Sequence, residues 1–398
     1  MRERLKNMVD FGLTDEQREI RAWVRTFVER EIMPLENEVL RREREGAAPG
    51  LNADEVRELR AIARKSDFWG VQTPPEYGGM GLDSVTAALI ETELGRTFLT
   101  FKFGGEADNI LYHANEEQKK RYLLPTIAGD RTSCFAITEP GAGSDAKAIR
   151  TRAEKDGSEW VINGEKTFIT GGNEADFAMV FAVTDQQLGA DGGVTCFLVD
   201  RDAGWRSEPI DTMGERRPAA LIFEDVRVPA ANVLGEIGHG FTLAMQWIGK
   251  GRYLLPARAL GGCERLLGMA IEYAKTRETF GAPIADRQAI QWMIADSQTE
   301  IEALRLLVLQ AAWQVDSSRD SRHAQSIAKL YGGVKANEIV DRVMQIHGGM
   351  GYTRELPIER WYRDLRLLRI FEGTDEIQRR TIARDLLKGH VKVGETLR

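Results

Sequence analysis

The chain of 398 residues is poor in the residue types that build metal sites and disulfide frameworks, with three cysteines and five histidines. Cys134, Cys196 and Cys263 are odd in number, lie far apart and show no CxxC spacing. Such a set makes neither a disulfide scaffold nor a zinc centre. Two of them stand in apolar strings, Ser-Cys-Phe-Ala and Thr-Cys-Phe-Leu, which reads as buried structural thiols. His113, His239, His323, His347 and His390 are scattered and no HExxH pattern occurs, so no metal ligands are expected. No apolar run reaches the ~18–20 residues that a bilayer crossing needs, which excludes a membrane-spanning helix. Long basic blocks are missing too. The balance of 54 Lys+Arg against 61 Asp+Glu gives a formal charge of −7, so nucleic acid is not expected as a partner. Met1 to Asp10 carries charges of both signs without an apolar core, and helical patterning starts at Leu13, so a cytoplasmic location is expected.

What is present is 42% apolar and 29% charged residues, the composition of a soluble globular protein. At about 100–200 residues per domain the length implies two or three domains.

Three textures follow one another along the chain. From Leu13 to about Gly129 the apolar spacing is mostly helical. Thr14 with Gln17 predicts a capping box, followed by an apolar face of Ile20, Trp23, Val24, Phe27 and Val28. Pro34 interrupts that pattern, Pro74–Gly79 is rich in turn residues, and a further helical run ends near Pro125. Strand-like strings then appear at Cys134–Thr138, Trp160–Ile162, Thr167–Thr170, Ala178–Val183, Val194–Val199 and Leu221–Phe223. Asn163-Gly164 reads as a hairpin turn, since both residues tolerate positive φ. With no helix-length segment between these strands, an antiparallel barrel or sandwich is expected rather than a parallel sheet. From Phe241 the helical period returns, with Ile290, Met293, Ile294, Ile301, Leu304, Leu307 and Val308 spaced for a bundle. The expected architecture is multidomain α+β: helical over 1–131, antiparallel β over 132–243, and a helical bundle over 244–398.

The segment from Phe135 to Asp145, Phe-Ala-Ile-Thr-Glu-Pro-Gly-Ala-Gly-Ser-Asp, holds a Gly-x-Gly turn after a strand. It imitates a dinucleotide-binding turn, but Pro140 sits at the strand end and no apolar helix follows. A glycine loop whose bare amides approach an anionic or carbonyl-rich ligand is the physical alternative, beside an ordinary surface turn.

This string resembles the first signature of the acyl-CoA dehydrogenase family, and the resemblance continues in order. Trp160–Gly171, Phe223–Pro229, Val233–Glu236, Arg277-Glu-Thr-Phe-Gly281, Gln288, Gln345-Ile-His-Gly-Gly-Met-Gly-Tyr352 and Phe371-Glu-Gly-Thr374 complete a series covering about 13–390. The resemblance implies FAD as cofactor and oxidation of a saturated acyl-CoA to a trans-2-enoyl-CoA. Glu372 takes the catalytic-base position and would abstract the α-proton, the thioester carbonyl being held by the Glu372 N–H and a ribityl hydroxyl of FAD. The β-hydrogen would then leave as hydride to the flavin. Some relatives place the base before the arginine matched by Arg252, but Gly251 stands there, so Glu372 is the carboxylate at either known position.

Phe135, Ile137, Thr138 and Ser144 would edge the flavin ring, with Phe168 and Thr170 on its other side. Arg277, Thr279 and Gln288 would hold the pyrophosphate and adenine half, an arginine fork being suited to phosphate. Gln345, Gly348 and Gly349 would come from a neighbouring subunit, which makes a homo-oligomer, a dimer of dimers, the expected state. Thr374 and Glu376 close the site, and Ser144, Arg252 and Gly373 would contact substrate. Electrons would pass to an electron-transfer flavoprotein. Three departures stand out: Phe168 for a common tryptophan, Arg287 for a frequent histidine, and Gly249 where many relatives carry an acidic residue. Gly249 and Gly251 together would leave room for a bulky acyl group. A flavin-dependent oxidase or monooxygenase on the same fold, and a non-catalytic binding module, are the competing readings.

Overall fold

The computed structural model describes residues 12–215, 217–317 and 320–394, and the charged Met1 to Asp10 segment lies outside them. Thr14 opens the first helix as its sequence predicts. Its hydroxyl accepts from the Gln17 N–H and the Gln17 side chain accepts from the Thr14 N–H, each at 3.1 Å. That box starts α1 (Asp15–Phe27), followed by α2 (Glu36–Arg44), α3 (Ala53–Lys65) and α4 (Ser84–Leu94). Pro34 does not end the helical path. It sits in a tight 3-10 turn, Met33–Leu35, that leads directly into α2. The later run continues past Pro125 to Ala128, where left-handed Gly129 stops it.

The central strands are β1 (Ser133–Ala136), β2 (Arg152–Asp156), β3 (Glu159–Ile169), β4 (Phe177–Val183), β5 (Val194–Asp200), β6 (Arg206–Pro209), β7 (Ala219–Pro229) and β8 (Val233–Leu234). They form one sheet in the order β6-β7-β3-β2-β4-β5-β8, with β1 paired to β4. The ladders are mostly antiparallel; β1–β4 runs parallel, as does the single β2–β4 pair. The sheet is open, and the closed-barrel alternative is corrected accordingly.

The Asn163-Gly164 hairpin is also overturned. Trp160–Ile162 and Thr167–Thr170 belong to one strand, β3, and the hairpin turn is Gly157-Ser158 between β2 and β3. Gly164 uses its freedom for a register shift against β7. Its φ is 148°, and a Cβ there would come within 2.6–2.8 Å of Thr151. The Gly141-x-Gly143 loop is a tight turn closed by reciprocal bonds between Glu139 and Ala142. A short 3-10 turn and β2 follow it, so the dinucleotide-turn reading fails for want of a helix.

Alternate residues of β4 feed two cores. Phe177, Met179 and Phe181 pack with Ile110, Tyr122, Leu123 and Leu243, while Ala178, Val180 and Ala182 pack with Trp160, Phe197, Trp205 and Phe223. This is why β4 reads as a continuous apolar run. After the sheet come α5 (Gly240–Lys250), α6 (Leu254–Thr276), α7 (Gln288–Asp316), α8 (Arg322–His347), α9 (Ile358–Leu367) and α10 (Asp375–Leu387). Val24, Phe27 and Ile90 share one core with Leu260, Leu304 and Val340, so the first and last helical segments are packed as a unit.

All three cysteines are buried and free. Burial pushes the Cys134 thiol up to about 12 and moves Cys196 and Cys263 upward as well. A disulfide-exchange reagent at pH 8 is expected to label no thiol in the native protein and all three after unfolding; rapid native labelling would contradict this packing.

Candidate active site

A buried ion pair organises the part of the sheet where β1 ends. Lys166 of β3 is fully buried, and its Nζ donates to Glu139 Oε1 at 2.7 Å and to the Ile137 carbonyl at 3.2 Å. Glu139 also accepts from the backbone N–H groups of Arg150 and Thr151, at 2.6 and 2.9 Å. Desolvation draws Lys166 down to about 8, opposed by the Glu139 charge. Burial disfavours ionised Glu139, yet Lys166 and the two amides hold it below the usual carboxylate range. Together these contacts tie the β1 exit to β3, and the Thr167 N–H donates to Thr138 O at 2.8 Å.

The expected ring contacts therefore lie side by side: Phe135 on β1 with Ile137 and Thr138 just past its end, and Phe168 near the end of β3 with Thr170 just past it. Phe168 has φ 56° and is 63% exposed. A left-handed phenylalanine with an uncovered ring is uncommon, and such strain clusters at ligand sites. Ser144 is exposed in the glycine loop, where Gly141 and Gly143 have nothing within 4 Å of an added Cβ.

The loop that carries Glu372 lies between α9 and α10. Thr374 caps α10, its hydroxyl accepting from the Ile377 N–H at 3.3 Å. Arg369 Nε donates to Asp375 Oδ2 at 2.7 Å across the loop. Between them Glu372 and Gly373 are both left-handed, with φ 51° and 92°. At the glutamate this conformation costs about 1–2 kcal/mol. At φ 92° any other side chain is strained, and a Cβ on Gly373 would also displace Gln378 Nε2, 2.6 Å away. Arg252, in the link between α5 and α6, brings Nη2 to 3.7 Å from that same Cβ position. Burial lowers the Arg252 guanidinium from its ordinary value, while the Glu372 charge raises it. Its Nε is buried without a hydrogen-bond partner. Glu376 is exposed in the first turn of α10.

A third group gathers at one end of the bundle. Arg277 ends α6, and Glu278–Thr279 pairs with Ala282–Pro283 around a turn at Phe280-Gly281, where both residues have positive φ. Gln288 opens α7. Arg287 Nη2 donates to the Thr279 carbonyl at 2.8 Å, so the arginine braces this hairpin. The Tyr273 ring on α6 stacks on His347 at the end of α8, with centroids 4.5 Å apart. That stack puts Arg277, Thr279 and Gln288 at the same bundle end as exposed Gln345, Gly348 and Gly349. One protomer thus presents both groups together.

A short path joins the sheet to the base. Trp247 of α5 stacks on Phe135 at 4.0 Å, its Nε1 donating to Asp108 Oδ1 at 2.6 Å, and Arg252 follows beyond the end of that helix. Sequence reasoning misses Glu139, Lys166, Trp247, Lys329 and Gln378. For Glu139 a signal exists, a carboxylate directly after the strand-like Cys134–Thr138 string; Lys166, between Glu165 and Thr167, offers none.

Family models for the acyl-CoA dehydrogenase N-terminal, middle and C-terminal domains match residues 14–130, 134–226 and 238–387. The chain belongs to the acyl-CoA dehydrogenase family. It is 38% identical to a 3-(aryl)acrylate reductase of Clostridium sporogenes, over 94% of this chain and 99% of the relative. The butyryl-CoA dehydrogenase structure from Megasphaera elsdenii superposes with a TM-score of 0.85 at 33% identity, covering 95% of this chain and all of that one. A chain from structural work on the electron transferring flavoprotein of Acidaminococcus fermentans matches at 36% identity and TM-score 0.84, covering 96% of this chain and 100% of that chain. FAD is the cofactor of this family of oxidoreductases. The residues here fit it: an open glycine loop, an uncovered strained phenylalanine and an exposed arginine fork at a hairpin.

Removing one partner of a buried pair costs about 3–5 kcal/mol. Lys166→Met is therefore expected to lower unfolding free energy by that order in a denaturant titration, and Lys166→Met with Glu139→Leu to recover part of it. A double variant no more stable than Lys166→Met would refute the coupling.

Proposed function

We propose that the chain oxidises a saturated acyl-CoA to a trans-2-enoyl-CoA, with Glu372 as the base that takes the α-proton. The left-handed Glu372–Gly373 turn beside Arg252 is the observation that carries this reading, because strain at a carboxylate in a built loop calls for a functional reason. A thioester α-carbon is a weak acid, so negative charge developing on the thioester oxygen must be stabilised as the proton leaves. The Glu372 N–H is the donor placed for that oxygen, and the Glu372 side chain leaves the same residue for the α-proton. Arg252 keeps a cation beside the carboxylate and lies where the CoA arm of the substrate would pass. FAD, when bound, supplies the acceptor for the β-hydride.

Phe135, Ile137, Thr138, Ser144, Phe168 and Thr170 would hold the ring, with Thr374 and Glu376 closing the site beside it. Arg277, Thr279, Gln288, Gln345, Gly348 and Gly349 would hold the dinucleotide half. Because these last six sit at one bundle end, they would act on the same cofactor, and a neighbouring copy would receive them in a dimer of dimers. The electron-transfer flavoprotein is the proposed acceptor, supported by the related chain from work on such a protein. Among the described residues no helix is long and apolar enough to cross a membrane. A cytoplasmic location is part of the same proposal.

Substrate bulk is read from the link before Arg252. Gly249 and Gly251 have nothing within 4 Å of an added Cβ, so the space around both positions is open. Similarity to the aryl-acrylate reductase supports including 3-arylpropionyl-CoA in a substrate panel.

Anaerobic addition of straight short, straight long, branched and arylpropionyl-CoAs to the holoenzyme is expected to bleach the flavin with at least one of them. Glu372→Gln is expected to slow bleaching by about 10²–10⁴-fold. A panel that bleaches nothing overturns the reading. Oxygen uptake coupled to substrate oxidation at the wild-type rate in Glu372→Gln would assign an oxidase or monooxygenase instead.

A further inference from the structure

The turn that carries Glu372 is held from behind by two side chains of the bundle. Gln378 Nε2, in the first turn of α10, donates to the carbonyls of both Glu372 and Gly373, at 3.2 and 3.1 Å. Lys329 Nζ, from the middle of α8, donates to the Gly373 carbonyl as well. Two donors thus converge on one dipeptide, and both residues are interior: Lys329 is 1% exposed and Gln378 fully buried.

Lys329 has a poor place for a fold-stabilising residue. An ammonium buried in a helix interface loses its hydration, and desolvation draws this one down to about 8. Asp375, Glu372 and Glu376 favour its charge and Arg252 opposes it. Asp375 favours it most among these acids, yet its Oδ2 accepts from Arg369 and its Oδ1 is buried without a hydrogen-bond partner, so the carboxylate acts on Lys329 through its charge alone. The hydrogen bond Lys329 makes goes to a backbone carbonyl of the base loop. An apolar side chain at this position would pack against the same neighbours without the desolvation penalty.

We propose that Lys329 is a positioning residue for the base: its ammonium, with the Gln378 amide, locks the Glu372–Gly373 turn so that the Glu372 carboxylate and N–H face the acyl thioester together. The inference rests on Glu372 being that base. Tying both carbonyls sets ψ of Glu372 and φ of Gly373, which in turn fix where the carboxylate leaves the backbone. Misplacing a reacting group by about 1 Å can cost about 10²-fold in rate.

The test uses the holoenzyme and the acyl-CoA that bleaches its flavin fastest, supplied with hydrogen or deuterium at the α-carbon. Lys329→Met is expected to lower the flavin-reduction rate by about 10–100-fold. KM should stay within about threefold, as expected for an interaction that acts on the transition state. The α-deuterium isotope effect should rise above the wild-type value, because proton abstraction then limits the rate more fully. Lys329→Gln, which keeps an N–H donor, should recover part of the rate.

A Lys329→Met rate within about twofold of wild type overturns the proposal. So does a slower rate with an unchanged isotope effect, which reports only a smaller active fraction. If Lys329→Met does not fold, Gln378→Met deletes the other donor and must show the same signature. A wild-type enzyme bleached by no acyl-CoA, or Glu372→Gln reacting at wild-type speed, removes the base reading itself and this inference with it.

Discussion

A lysine shut off from water can remain an ammonium only beside a partner that repays its lost hydration, and that constraint shapes the centre of this molecule. Lys166 meets it with Glu139. Because Glu139 lies at the exit of β1 and Lys166 near the end of β3, satisfying the charge welds those two strand ends together. The backbone amides of Arg150 and Thr151 complete the carboxylate and draw in the start of β2. The glycine loop between them is then a short span with both ends fixed. Ala142 and Ile149 anchor it further in the core, while Gly141, Gly143 and Ser144 stay exposed.

The same physics recurs at the Glu372–Gly373 turn, with a backbone carbonyl in place of a carboxylate. A left-handed glutamate followed by a left-handed glycine is unstable in isolation, so its geometry must come from outside the turn. Gln378 and Lys329 supply it from α10 and α8, and the Arg369–Asp375 pair closes the loop at its base. Arg252 arrives from a third direction, off the end of α5. Helices from separate stretches of the chain therefore converge on two residues. The shared core that runs through the first and last helical segments makes that convergence rigid.

Much of this architecture is legible in the amino-acid sequence. The Thr14–Gln17 box, the helical–β–helical order and the ordered motif series can all be read there, because capping, periodicity and motif spacing are local properties. Asn163-Gly164 misleads because positive-φ tolerance serves a bulge as well as a hairpin, and only the partner strand decides which. Lys329 and Gln378 are invisible for a related reason. On its own helix a lysine such as Lys329 reads as a solvated charge; that it turns inward is set by a loop 44 residues further along the chain. Glu372 is found by its motif, yet its left-handed backbone is a tertiary outcome that no local propensity favours.

The two buried lysines also say something about selection on this fold. Each is desolvated to about 8. Buried pairs can often be replaced by apolar residues of similar volume with no loss of stability, or with a gain. Packing alone therefore does not explain an ammonium at either position. What an apolar replacement could not do is aim a carbonyl: at 166 the Ile137 peptide just past β1, at 329 the Gly373 peptide next to Glu372. A flexible four-carbon stem ending in a charged donor is suited to that task, because it reaches a fixed backbone atom across a packed interface. Stability given up at two interior points is thus placed where it sets the geometry of the β1 exit and of the Glu372–Gly373 turn, the two surfaces on which the proposed reaction depends.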